Sequence, residues 1–102
     1  MESKDNLQLV FMEECLEVAH SMSKVMRFTP NDRHHKDSPT NLEQLQIEWA
    51  DLLAMKELIE EELGIKFVTE RTPDLIARKK IRFREYEHYS KLLGTIKDAG
   101  AD

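Results

Sequence analysis

The chain has 102 residues, 40% hydrophobic and 34% charged, which suits a single small domain over residues 1–102. Three glycines, three prolines and 7% aromatics argue against a sheet of many short strands, and a formal charge of −5 argues against non-specific binding to nucleic acid or an anionic membrane. The single cysteine excludes an internal disulfide, and no apolar segment has the length of a signal peptide or membrane span, so a cytoplasmic all-α protein is expected.

The first predicted helix runs from about Asn6 to Phe28, with Asp5 or Asn6 as N-cap. At about 100° per residue it sets Phe11, Cys15, Val18, Met22, Val25 and Met26 on one face, which Met12, Leu16 and Ala19 widen. Cys15 reads there as a small buried apolar residue. Glu14 stands at the edge of this face and Glu17 one step beyond, with Ser21, Lys24 and Phe28 along the same flank. The polar connection "TPNDRHHKDSPT", residues 29–40, has the length at which a loop is usually functional or mobile, and its His34 and His35 are expected in solvent. A second helix, capped by Thr40 or Asn41, runs to Leu63, with Gly64 suited to the left-handed position that follows. The third opens at "TPD", with Thr72 as cap and Pro73 in the first helical position, and continues to about Leu93 before Gly94. The tail, 95–102, is expected to fray.

In the second helix Glu48 and Asp51 lie among Ile47, Leu52, Met55, Leu58 and Ile59, inside the apolar arc. Two carboxylates three residues apart share a helix face, and burying them unpaired would cost several kcal/mol, so something must compensate their charge. Glu57-x-x-Glu60 and Glu2-x-x-Asp5 fit the same spacing but read as surface pairs. Four oxygen donors from two helices, Glu14, Glu17, Glu48 and Asp51, suit Mg²⁺ or Mn²⁺, hard ions that keep several waters and bind phosphate oxygens. The implied substrate is a di- or triphosphate. Trp49 points roughly opposite to Asp51 and reads as core or interface. The apolar arcs of the first two helices are wider than three helices of one chain can cover, which predicts a bundle completed in a homo-oligomer, dimer or tetramer.

Two other classes remain open on the residues alone. Glu17-x-x-His20 and Glu85-x-x-His88 are the two pairs that a di-iron bundle would use, although Asp51 has no place in that scheme. A non-catalytic interaction module would leave Glu48 and Asp51 unexplained.

Together "EECLE", "SKVMRF", "NLEQLQIEWADLLAMKELI" and "EHYSKLLGTI" resemble the MazG-type all-α nucleoside triphosphate pyrophosphohydrolases, whose mark is Glu-x-x-Glu on one helix and Glu-x-x-Asp on the next. Glu14 and Glu17 match the first pair, Glu48 and Asp51 the second. The resemblance implies hydrolysis of an NTP or dNTP to monophosphate and pyrophosphate, with two or more Mg²⁺ or Mn²⁺ ions on those four carboxylates. It also implies bundles built across subunits, in the manner of small, often phage-borne members acting in a bacterial cytosol. Lys24, seven residues after Glu17, is then within reach of a phosphate. "RKKIRFR", residues 78–84, is either a solvated face paired with Glu85 and Glu87 or an anion clamp with Arg82 as its chief member. The sequence departs from the family pattern at Glu-Trp-Ala-Asp, where Glu-x-Gly-Asp is commoner, at Thr29, where glycine is usual, and at "NDRHHKD".

Overall fold

The computed structural model describes residues 1–97 and is all-α, with three helices: α1 (Ser3–Phe28), α2 (Asn41–Leu63) and α3 (Thr72–Leu92). Among the described residues no strand forms, only an isolated bridge between Arg33 and Thr40. None of the helices is long and apolar enough to cross a membrane. The chain divides into two compact units, Met1–Phe67 and a second that begins at Val68.

In the first unit α1 starts earlier than its composition suggests. Asp5 does not cap from outside; it lies in the first turn, where its Oδ2 accepts the Glu2 backbone N–H at 3.3 Å, so the start moves back to Ser3. The α2 start follows the expected pattern. Thr40 accepts the Glu43 N–H at 3.1 Å, and Glu43 accepts the Thr40 N–H at 3.0 Å, which closes a capping box. These bonds hold the Glu43 carboxyl below its ordinary pKa, the backbone bond to Thr40 first. Gly64 ends α2 at φ 70°, the left-handed conformation that favours glycine.

The loop between α1 and α2 is drawn shut at its neck. Leu42 N–H donates to Pro30 O and Asn41 N–H to Asp32 O, each at 2.9 Å, and the Asn41 side chain donates to Thr29 O at 2.9 Å. Arg33 spans the inside, donating to Ser38 O at 3.3 Å. His34 and His35 are exposed, as expected. Thr29, at the exit of α1, has φ 74° and ψ 155°, a region that only glycine enters without strain. Because the neck joins the end of α1 to the start of α2, the two helices run antiparallel as a hairpin. Its other end is also fastened: the Phe67 ring lies 5.4 Å from that of Phe11, and the Phe67 N–H donates to Glu60 Oε2 at 3.2 Å. Glu60 also accepts from Lys56 at 3.0 Å; this bond, followed by that from Phe67, lowers its pKa. Glu60 is therefore half-buried and structurally engaged, unlike the solvated pair expected from Glu57-x-x-Glu60.

The seam of the hairpin is displaced from the expected one. The side chains shielded from solvent include Leu7, Phe11, Glu14, Val18, Ser21 and Val25 on α1 and Leu45, Glu48, Leu52, Met55, Ile59 and Leu63 on α2. Both rows advance by steps of three or four residues, the period that keeps one helix facing another. The α1 row passes through Glu14 and Ser21, which leaves Cys15, Met22 and Met26 outside it. Cys15 is exposed, a correction to its reading as buried. Ile59, 3% exposed, and Ser21, 6% exposed, are the buried residues among those described, and neither is wholly shut from solvent.

In the second unit α3 begins one residue earlier than its expected cap allows. Thr72 is already helical, because its hydroxyl turns back to accept the Thr69 N–H at 2.8 Å; Arg71 takes the cap position and Pro73 the second helical one. At the other end Gly94 N–H donates to Lys91 O and Thr95 N–H to Ser90 O, both at 3.0 Å, the pair of bonds of a Schellman motif with Gly94 at φ 80°. Thr95 is thus held, and the rest of the tail expected to fray includes 98–102, outside the described residues.

Candidate metal centre

Two residues of the seam and one beside it build an acidic cluster. Glu14 from α1 stands between Phe11 and Val18, and Glu48 from α2 between Leu45 and Leu52; both are half-buried. Asp51 is three residues on from Glu48, so α2 turns it to the same face, where it is exposed. One oxygen from each of Glu14, Glu48 and Asp51 lies within 4.8 Å of the others, and among the described residues no second such group of His, Cys, Asp or Glu forms.

Among the described residues no Lys or Arg forms an ion pair with Glu14, Glu48 or Asp51. Glu14 Oε2 is shielded from solvent and has no hydrogen-bond partner, an uncommon condition for a buried acceptor. Burial pushes the Glu14 carboxyl above its ordinary pKa, and the charges of Asp51, Glu48, Glu17 and Glu13 push it in the same direction. Glu48 is better placed, since Gln44 Nε2 donates to its Oε1 at 2.7 Å. That bond was missed in the sequence, although Gln44 and Glu48 have the four-residue spacing of helix neighbours. All the donors are carboxylate oxygens, the ligand type of hard divalent cations.

Of the four carboxylates picked out by spacing, three converge. Glu17 is exposed on α1 and lies outside the group of three oxygens, though its charge acts on Glu14. Lys24 is exposed on α1. Arg82 is exposed on α3, in the second unit, where Arg84 pairs with Glu87 at 3.0 Å. His20, Glu85 and His88, which a di-iron scheme would need, are each exposed.

Compared with protein-family models, curated proteins and solved structures, the chain gives no match.

Proposed function

We propose that this protein is a metal-dependent nucleoside triphosphate pyrophosphohydrolase, with Glu14, Glu48 and Asp51 as the centre of its site. The observation that carries this reading is the convergence of Glu14 with Glu48 and Asp51, together with a shielded Glu14 oxygen that no described protein group satisfies. Three acids held this close repel one another, and the raised pKa of Glu14 expresses that repulsion together with its burial. Mg²⁺ or Mn²⁺ fits the all-oxygen donor set; a bound ion of this kind neutralises phosphate oxygens and makes water a better nucleophile.

The chain's own groups divide the remaining tasks. Gln44 fixes one oxygen of Glu48 and so sets the direction of the other. Glu17, one helical turn from Glu14 and open to solvent, can accept the proton of a water attacking the α-phosphorus. Lys24, two turns further along α1, supplies a cation for the terminal phosphates. Pyrophosphate then leaves with the bond between α-phosphorus and bridging oxygen broken, and the nucleoside monophosphate keeps the water's oxygen. No covalent nucleophile is required, which agrees with positioning and electrostatics dominating phosphoryl-group chemistry.

The resemblance to the MazG-type enzymes gains support from Thr29. Its positive φ is the conformation for which glycine is suited, and glycine is usual there in that family. The test is a panel of NTPs and dNTPs with Mg²⁺ or Mn²⁺, with both products quantified. The expected result is monophosphate and pyrophosphate in equal amounts from at least one of them. Orthophosphate with a diphosphate would mean cleavage at another bond, and inactivity across the panel with both metals would sink the reading.

A further inference from the structure

The overall charge of −5 hides a division along the chain. Residues 1–67 carry 14 Asp and Glu against seven Lys and Arg, whereas α3 carries six Lys and Arg against three Asp and Glu. Its run "RKKIRFR", residues 78–84, is left unused by the proposed chemistry. Of the pairing that a merely solvated face would make, Arg84 forms its share with Glu87 at 3.0 Å, but among the described residues Arg78, Lys79, Lys80 and Arg82 form no ion pair. No residue of α3 is buried. At about 100° per residue Arg78, Tyr89, Arg82, Tyr86, Lys79 and Phe83 follow one another around an arc of about 140°. All six are exposed, Tyr86 by 69%, Tyr89 by 59% and Phe83 by 52%. The other residues on the arc, Thr72, Leu75, Ser90 and Leu93, are uncharged. Glu85 lies about 20° beyond the Arg78 edge, and Glu87, about 40° beyond the Phe83 edge, is already held by Arg84. At the Phe83 edge the Arg84 guanidinium stands 5.4 Å from the ring centroid, and a pocket of about 500 Å³ is lined by Lys79, Lys80, Phe83 and Arg84.

We propose that this face of α3 binds single-stranded nucleic acid, with Arg78, Lys79 and Arg82 on the phosphates and Phe83, Tyr86 and Tyr89 as stacking platforms. Charge complementarity selects a polyanion, because three cations on one face have no acidic partner in the chain. The rings select a single strand, since unpaired bases are free to stack on aromatic side chains and every base has a stacking face. In a duplex those faces are already stacked on one another. A bilayer surface fits less well, because a helix lying among headgroups keeps its cations on a polar face apart from its apolar one. Here Arg82 and Lys79 alternate with Tyr89, Tyr86 and Phe83 on the same arc. The contact needs no metal and does not depend on hydrolysis, and a strand reaches all three rings where a mononucleotide reaches one.

The test is fluorescence anisotropy of a labelled oligothymidylate of about 12 nucleotides, a length within the range of single-strand sites, titrated with the full chain in the presence of chelator so that turnover cannot occur. The strand should bind, and three phosphate contacts should make its affinity fall by about tenfold or more between about 50 and 200 mM salt. At the higher salt, where stacking dominates, the same strand annealed to its complement should bind about tenfold more weakly. The nucleotide dTTP, at the same total nucleotide concentration, should leave the strand bound. Phe83→Leu should weaken strand binding by about tenfold, and Lys79→Gln should lower the salt slope by about 0.7, each with helical content unchanged by circular dichroism. No binding at about 50 mM salt overturns the proposal, as does a duplex bound as tightly as the single strand; both readings need no variant to fold. Displacement by dTTP would assign the face to the substrate, and binding to vesicles of phosphatidylserine and phosphatidylcholine without binding to the strand would assign it to a membrane; either result overturns the proposal.

Discussion

One pair of helices presents two unlike flanks. On one side of the α1–α2 seam Glu14, Glu48 and Asp51 crowd together with a buried oxygen left unsatisfied; on the other, Met12, Leu16, Met22, Trp49 and Leu53 stand exposed without an ionised group among them. The first arrangement costs stability in the absence of a ligand, because like charges are brought together and one is partly dried. The second also leaves free energy unclaimed, since apolar area remains in water. The two flanks thus differ in kind: one crowds like charges together, the other leaves apolar area in water.

Substitutions should separate them. The largest effect is expected from Glu48→Gln, which removes a charged donor but keeps the shape that Gln44 contacts. Turnover should fall by more than about 100-fold, beyond the loss typical of an outer-shell partner, while the helical content stays intact. Steady-state pyrophosphate release and circular dichroism on one sample check both halves, and turnover within about twofold of wild type would remove Glu48 from the site.

The pH dependence sharpens the same contrast. Glu14 has a raised pKa in the fold, so its contribution is present below the ordinary glutamate value of 4.5 and is lost as pH rises through the raised one. Glu43 and Glu60 have lowered pKa values; their contributions are present above 4.5 and are lost as pH falls through those lower values. The metal-free protein should therefore melt highest in weakly acidic buffer. Glu14→Gln should flatten the decline on the alkaline side, and saturating Mn²⁺ should reduce or reverse it, because the ion binds the deprotonated folded site. Met22→Lys, on the other flank, should leave the shape of this profile unaltered. Melting curves from pH 4 to 8 in the presence of chelator provide the check, and an unchanged alkaline limb in Glu14→Gln would contradict the account.

The smallest effect belongs to neither flank. Thr29→Gly should stabilise the protein by about 1 kcal/mol, since strain at a non-glycine residue with positive φ is about 1–3 kcal/mol and the greater freedom of glycine in the unfolded chain offsets part of it. A urea midpoint that moves downward would show that the threonine side chain contributes more than its backbone costs.

How much of this was legible in the sequence differs from element to element. Thr40 with Glu43, Gly64 and Gly94 could be read because capping and left-handed turns depend on residues a few positions apart. The start of α1 could not, because Asp5 serves equally as a cap or as a first-turn acceptor, and only its bond to Glu2 distinguishes them. The seam of α1 was misplaced for a different reason. Hydropathy ranks Cys15, Met22 and Met26 above Glu14 and Ser21, but which arc meets α2 is decided by the facing helix. Apolar neighbours rightly turned Glu48 inward, but Asp51, read as lying inside the same arc, is exposed, and Glu14, read at the edge of its face, lies in the seam. That Glu17 stays outside the group follows from α1 turning Glu14 inward onto the seam, which spacing alone does not fix.

The fastening at the two ends of the hairpin has a mechanical consequence. At one end the loop neck ties Pro30, Asp32 and Thr29 to the start of α2; at the other, Phe67 lies against Phe11 while Glu60 grips its backbone. A pair of rods clamped at both ends cannot scissor apart, so a push between them bends the span instead of swinging it open. Glu14, Glu48 and Asp51 exert such a push from within the span. One oxygen from each of the three already lies within 4.8 Å of the others, so a cation placed among them would find its donors at hand.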